Sequence, residues 1–127
     1  MANSIIKTNG GLVPNSRATI ELANATIMQK VSGDADVYQL NDTYFIVFVS
    51  LGIKYTASRV ADMGAWRIKV DGTTLTPMHP HFILSWVDGN TTIYQSFADT
   101  DNGWFKNPVA LSANQIARWT GTVLYRK

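Results

Sequence analysis

The sequence predicts an all-β protein whose architecture is an antiparallel β-sandwich, a jelly-roll-like fold or a small barrel, with at most one or two short helical turns. Residues that favour strands, namely Thr, Val, Ile and the aromatic residues, are abundant. Glu, which is common on helix surfaces, occurs only once, as Glu21. Signals for tight turns also recur, and they separate short apolar segments without the strand–helix alternation of a parallel α/β fold.

These turn signals are rich in Gly, Asp and Asn, which tolerate the positive φ that tight turns require. They are "NGG" at 9–11, "SGD" at 32–34, "LND" at 40–42, "DG" at 71–72, "DGN" at 88–90 and "DNG" at 101–103. The signal "DGN" lies between the alternating segments "HFILSWV" and "TTIYQSF", so we predict a β-hairpin there.

A second hairpin is predicted where "DG" joins "AWRIKV" to "TTLT". Because side chains alternate along a strand, Trp66, Ile68 and Val70 should face one side, and Arg67 and Lys69 the other. The segment "VLYRK" is predicted to be a final strand that runs to the end of the sequence.

The segment "TYFIVFVS" is apolar at nearly every position, as expected for a central strand that is buried on both faces. We expect Phe45, Val47 and Val49 to lie in one layer, and Ile46 and Phe48 in another, all of them buried. On this interpretation Phe48→Ala costs roughly 3–5 kcal/mol, from the lost transfer free energy and the cavity that it leaves.

Two further segments could form helices. Ile20, Ala23, Ile27 and Val31 of the segment "SRATIELANATIMQKV" would lie on roughly one helical face. Its β-branched residues favour two strands instead, which we predict. The segment "SANQIARW" has Ser112 followed three residues later by Gln115, a capping-box pattern that predicts one or two helical turns.

Composition indicates one packed domain, residues 1–127, since 46% of the residues are hydrophobic. Charged residues make up only 16%, against about 25% in an average domain. A net charge of +2 without a basic run predicts no nucleic-acid partner. No apolar run approaches the length of a membrane span, and "MANSIIKTNG" lacks the apolar segment of a signal peptide.

The two histidines, His79 and His81, are the best candidates for metal ligands, because residues two apart in a strand point to the same side. A catalytic zinc site needs a third ligand, and the chain has no other His and no Cys. Pro77 and Pro80 indicate instead a stiff segment at an edge or in a loop. We therefore predict no metal, no cofactor and no catalytic residue, and a protein that is not an enzyme.

The turn at 99–103 and the aromatic residues after it form the candidate ligand-binding loop. Its spacing does not match an EF-hand, because Gly103 stands at the fifth position, although a calcium loop of the lectin type stays open as an alternative. The structural alternative is a turn that binds its own backbone beside an aromatic cap for the domain. The candidate ligand-binding residues are Asp99, Asp101, Asn102, Trp104, Phe105, Lys106 and Asn107.

A charge-poor, cysteine-free β-domain rich in Thr and Asn is typical of viral and phage structural proteins. The first hypothesis is therefore a virion structural or attachment protein that works as a symmetric homo-oligomer, made in the host cytoplasm and located in the virion. Its expected partners are other copies of itself, other virion proteins or a host-surface glycan. We expect Ser4, Ile5 and Ile6 to contact another subunit, because a monomer gains little by burying apolar residues so near the chain start.

Two alternatives belong to other functional classes. A carbohydrate-binding, lectin-like module would use the loop 99–108, where the aromatic rings supply contact area and the amides supply direction. A metal-dependent enzyme would use His79 and His81.

Overall fold

The protein is a β-sandwich of two antiparallel sheets. A computed structural model describes residues 7–8, 11–12, 17–78 and 82–127, and these residues contain twelve strands and no helix. The predicted all-β class is confirmed, and the sandwich is the one of the three predicted architectures that the structure supports. Within the described residues, no helix has the length and apolarity of a membrane span.

Each strand pairs only with antiparallel neighbours. In chain order the strands are β1 (Lys7–Thr8), β2 (Gly11–Leu12), β3 (Ala18–Leu22), β4 (Met28–Gln39), β5 (Tyr44–Tyr55), β6 (Gly64–Val70), β7 (Thr73–Thr74), β8 (Thr76–Pro77), β9 (Phe82–Val87), β10 (Tyr94–Phe97), β11 (Phe105–Lys106) and β12 (Ile116–Arg126). The larger sheet has the order β10-β9-β12-β5-β4, with β8 also paired to β12. The smaller sheet has the order β11-β6-β3, with β7 paired to β6, and β1 and β2 form a separate pair.

Both predicted hairpins are present. Strands β9 and β10 pair with Tyr94 opposite Ser85, and the turn between them includes Gly89 at a φ of 89°. Strands β6 and β7 pair with Val70 opposite Thr73, which leaves Asp71 and Gly72 as a two-residue turn. Both turn residues have positive φ, 52° and 79°, as the hairpin geometry requires.

Aromatic side chains join the two sheets. Trp66 on β6 meets Trp119 on β12 edge to face, with ring centroids 6.2 Å apart, and it stacks on Phe105 at 4.6 Å. All three rings are buried. The Trp119 indole N–H donates to Ser96 Oγ on β10 at 3.1 Å, so its polar edge is satisfied inside the core. On β6 the predicted alternation is confirmed, because Trp66, Ile68 and Val70 are buried and Arg67 and Lys69 are partly exposed.

Strand β5 is an interior strand of the larger sheet, between β12 and β4, but only one of its faces is covered. Phe45, Val47 and Val49 are buried, as predicted. Ile46 is half-buried and Phe48 is 45% exposed, so the prediction that both are buried is wrong. The physical reason is that a two-layer sandwich buries one face of each sheet, and the described residues contain no third layer over the other face of β5.

The segment after Ser112 is a turn, so the predicted helical turn is wrong. The Ser112 N–H donates to Gln115 Oε1 at 2.8 Å, which is the side-chain bond of a capping box. Asn114 has a φ of 71°, which a continuing right-handed helix does not allow. Strand β12 begins directly afterwards, with Ile116 opposite Lys54, because pairing with β5 outweighs the local helical preference.

The segment 16–31 contains two strands where it is described, which confirms that prediction. Strands β3 and β4 belong to different sheets and are joined by a turn in which the Thr26 N–H donates to Asn24 Oδ1 at 3.1 Å. The turn predicted at 32–34 is wrong, because those residues lie inside β4. Gly33 has a φ of 70°, just after a bulge between Lys30 and Ser32, and a Cβ there would lie 1.8 Å from the Ser50 carbonyl oxygen.

A pair of alanine substitutions on β5 tests which face is buried. Phe45→Ala should lower the free energy of unfolding by about 3–5 kcal/mol, because it leaves a cavity in the core. Phe48→Ala should lower it by less than about 1 kcal/mol when measured on dilute protein, because the ring is on the surface. Urea unfolding of both variants and the wild type gives the comparison. Equal losses would contradict the assignment of the two faces.

Candidate functional site

The turn at the start of the predicted ligand-binding loop is held by its own side chains. The Asp99 carboxylate accepts hydrogen bonds from the Asp101 N–H at 2.8 Å, the Asn102 N–H at 3.3 Å and the Asn102 side-chain amide at 3.1 Å. The Asp101 N–H is the main reason that the pKa of Asp99 lies below its ordinary value. The Asp99 carboxylate is therefore committed to local backbone bonding.

Trp104 is half-buried and one face of its ring is already covered. The Arg67 guanidinium carbon lies 4.1 Å from the ring centroid, a cation–π contact. The indole also lies against Gly64, where a Cβ would be 3.0 Å from Trp104 Cγ. Arg67 and Gly64 therefore leave only part of this ring open to a ligand.

Two of the seven predicted ligand-binding residues lie inside the protein. Phe105 is fully buried against Trp66. The Asn107 side chain is buried too, where its oxygen accepts from the Tyr55 hydroxyl and its nitrogen donates to the Val60 carbonyl at 3.3 Å. Asp101, Asn102 and Lys106 are exposed. The loop therefore does not bring all seven side chains to one surface.

The other predicted positions lie outside the described residues. They are the expected subunit contacts Ser4, Ile5 and Ile6 and the two histidines, His79 and His81. Among the residues that are described, no three His, Asp or Glu side chains lie close enough together to hold a metal ion.

The outer face of the larger sheet carries a group of exposed apolar side chains, which we call the apolar half. Its residues are Tyr38, Tyr44, Ile46, Phe48, Phe82, Leu84, Phe97 and Leu124. Five of them, Tyr44, Phe48, Phe82, Leu84 and Phe97, are 38–46% exposed. The rings are paired on the surface: Tyr38 and Phe48 have centroids 5.7 Å apart, and Phe82 and Phe97 have centroids 5.8 Å apart.

The outer face of the smaller sheet has the opposite character. Glu21 on β3 forms ion pairs with Arg67 at 2.5 Å and with Lys69 at 3.4 Å, both on β6. The hydrogen bond from Arg67 is the main reason that the pKa of Glu21 lies below its ordinary value. Thr19 is exposed beside Lys69. The outer face of the smaller sheet is therefore polar and suited to solvent, so exposed aromatic rings are not a general property of the molecule's surface.

The outer face of the larger sheet becomes polar further along its strands, where it holds the Arg118 cleft. This cleft has a volume of about 280 Å³ and is lined by Ser32, Gly33, Ser50, Leu51, Trp86, Arg118, Trp119 and Thr120. The Arg118 guanidinium makes a two-point contact with the Asp88 carboxylate, at 2.7 and 2.9 Å. Its third bond, from Nη1, goes to Ser32 Oγ at 2.9 Å.

A signal for the apolar half is present in the sequence. The segment "TYFIVFVS" is apolar at nearly every position, a pattern that by itself indicates a strand buried on both faces. In a two-layer fold, however, a subunit can cover only one of these faces. Apolar residues on the second face, such as Phe48, then indicate a surface that is exposed in the isolated subunit.

Comparison of the chain with protein-family models, with curated proteins and with solved structures found no match.

The pairing of Asp88 with Arg118 predicts a shifted titration. The Arg118 hydrogen bond is the main cause of a pKa of Asp88 below its ordinary value, which is about 3.9. The pair therefore stabilises the fold above that pH, and its contribution is lost as the pH falls through the folded-state pKa. In Arg118→Gln the pKa of Asp88 should rise toward the ordinary value, as followed by carboxyl NMR. The pKa of Glu21, set by Arg67, is the control and should not move. An unchanged Asp88 titration would contradict the pairing.

Proposed function

We propose that this chain is a non-enzymatic structural or attachment subunit of a virus particle of the phage type, and that it works as a symmetric homo-oligomer. The observation that carries the proposal is the apolar half of the larger sheet's outer face. Four aromatic rings there, Tyr44, Phe48, Phe82 and Phe97, are 38–46% exposed. Aromatic residues are enriched at protein interfaces.

The size of the apolar half fits a contact between two copies. Aromatic side chains bury about 150–250 Å² each, so these four partly exposed rings present on the order of 300 Å² to solvent. With the aliphatic residues of the apolar half included, two facing copies would bury roughly 1,000 Å², the lower bound for a specific interface. Sheet-on-sheet packing is already the way in which this fold buries its core.

A second copy is the occupant that we favour for two reasons. Self-association through a two-fold axis requires a self-complementary face, and an apolar surface meets this condition without matched charges. The rim of the apolar half carries exposed charges of both signs, Asp36 on β4 and Arg126 on β12, so an identical face is not repelled by charge of a single sign. The low content of charged residues, 16%, also lowers the cost of desolvation.

The assignment to a virus particle rests on the type of protein. A charge-poor, cysteine-free β-sandwich rich in Thr and Asn is typical of coat, decoration, tail and fibre components. Such a subunit has copies of itself as its main partner, and other virion proteins or a host-surface glycan as further partners. Its location would be the virion, assembled in the host cytoplasm.

The second candidate function is carbohydrate binding by the loop 99–108. Asp101, Asn102 and Lys106 are exposed and lie within three residues of the half-buried Trp104 in the sequence, which supports it. The burial of Phe105 and Asn107 removes two of the contacts that the hypothesis used. A glycan array with the wild type and Trp104→Ala tests it, since binding through this loop should be lost in the variant.

A charge placed in the apolar half should prevent self-association. For Phe48→Lys we expect the association constant to fall at least about tenfold, because a desolvated ammonium would replace a buried ring. The matched control is Thr19→Lys, which adds the same charge to the outer face of the smaller sheet and should leave the oligomer intact. Sedimentation velocity at tens of micromolar gives the readout. A wild-type monomer under these conditions, unchanged by Phe48→Lys, would contradict the proposal.

Removal of residues 1–8 tests the separate expectation that Ser4, Ile5 and Ile6 contact another subunit. The truncated protein should form less oligomer than the full-length chain while it keeps its fold, as measured by sedimentation and by unfolding in urea. If the truncation has no effect and Phe48→Lys does, self-association uses the apolar half alone. The genes that flank the coding sequence test the virion assignment, which predicts neighbouring capsid or tail genes.

A further inference from the structure

The Arg118 cleft is built by several departures from a regular sheet. A bulge in β4, between Lys30 and Ser32, brings Ser32 within reach of the Arg118 guanidinium. Gly52 lies beneath, where a Cβ would be 2.5 Å from Ser32 Oγ and 3.0 Å from Arg118 Nη1. Any larger residue at that position would displace the guanidinium. Bulges of this kind often re-aim side chains at functional sites.

Three hydrogen bonds orient the Arg118 guanidinium, but they do not use all of its N–H donors. Guanidinium has five N–H groups, and three of them are used, by the two oxygens of Asp88 and by Ser32 Oγ. The other two N–H groups, one on Nη1 and one on Nη2, have no hydrogen-bond partner among the described residues and could be used by a ligand. Asp88 fixes the plane of the guanidinium and does not itself line the cleft, so its role is positional.

The rest of the cleft offers the complementary groups. Ser32, Ser50 and Thr120 contribute hydroxyls, each of which can donate and accept. Trp86 lies on β9 directly opposite Arg118 of β12, and its half-buried indole supplies apolar contact area beside these polar groups. An aromatic ring next to hydroxyls and a fixed fork of N–H donors suits a ligand that has a C–H face and a rim of hydroxyls.

We infer that the Arg118 cleft binds a neutral polyhydroxylated ligand of the size of one sugar ring. The cleft volume of about 280 Å³ is slightly below the roughly 300–1,000 Å³ of small-molecule sites, which limits the ligand to a small one. The charge of Arg118 is neutralised by Asp88, whose carboxylate would repel an anion. A neutral ligand that both donates and accepts hydrogen bonds therefore fits better than a phosphate or a carboxylate.

This inference does not depend on the proposed self-association. The cleft lies toward the polar end of the larger sheet's outer face, where Ser50 on β5 and Arg118 on β12 line it. It borders the apolar half at Thr120, which lies opposite Leu84, whereas Phe48 and Leu124 lie further along β5 and β12. It also differs from the loop 99–108, whose Trp104 packs against Arg67 and belongs to the smaller sheet's side of the sandwich.

The test is NMR titration of the full-length protein with glucose, galactose, mannose and N-acetylglucosamine, each added separately, and with inorganic phosphate. We expect at least one sugar to shift the Trp86 indole and Arg118 side-chain signals, with a dissociation constant of about 1 mM. Trp86→Ala should weaken this binding at least about tenfold, and so should Ser32→Ala, which keeps the core intact and removes one lining hydroxyl.

Trp104→Ala is the matched control, because it removes the aromatic ring of the other candidate site, and it should leave the titration unchanged. Three results would overturn the inference: no shift with any of the four sugars, shifts that are lost in Trp104→Ala and kept in Trp86→Ala, or a cleft that binds phosphate more tightly than the sugars. Sedimentation of the same samples shows whether self-association fails separately, since sugar binding is expected for monomer and oligomer alike.

Discussion

The contact between Trp66 and Trp119 is the interaction on which the rest of the structure depends. These rings lie on β6 and β12, which are interior strands of the two sheets, and their edge-to-face packing sets the two layers against each other. Phe105 extends the contact by stacking on Trp66. Once these inner faces are joined, each of the two sheets has one covered face and one outer face. The composition of the outer faces then determines what the subunit can bind.

The outer faces of the two sheets differ in composition. Glu21 forms ion pairs with Arg67 and Lys69 on the smaller sheet, so this face gains little by leaving water. The larger sheet exposes Phe48 and its apolar neighbours, for which burial against another surface is favourable. The proposed self-association follows from this difference within one molecule, and the Arg118 cleft occupies the part of the same face where the apolar side chains end.

Local chemistry explains which parts of the fold the sequence predicts. The turn Asp71-Gly72 is specified by the positive φ of two adjacent residues, so its hairpin is predictable. Ser112 and Gln115 also bond as their spacing indicates, but pairing of β12 with β5 replaces the helix that this bond favours in isolation. Similarly, the sequence "SGD" at 32–34 resembles a turn, but Gly33 lies just after a bulge inside β4. Pairing with β5 continues on both sides of the bulge, so the strand does not end there.

The candidate sites show the same division between local and distant effects. The Asp99 turn forms from neighbours in the sequence and is visible in it, whereas the burial of Asn107 depends on Tyr55, which lies on another strand. Arg118 and Ser32 are 86 positions apart and meet only through the register of β4, β5 and β12. No local sequence pattern predicts such a contact.

The central claim, self-association through the apolar half, is tested most directly by distances between spin labels. Because the chain has no cysteine, a nitroxide can be attached to a single introduced cysteine. One variant is Thr122→Cys, beside Phe48 on the outer face of the larger sheet, and the other is Thr19→Cys, on the outer face of the smaller sheet. Dipolar spectroscopy of the oligomer should give a short distance between Thr122 labels and a longer one between Thr19 labels, because the second sheet places the latter about 10 Å further from the interface in each copy. A shorter distance between the Thr19 labels, or no dipolar coupling at either position, would contradict self-association through the apolar half.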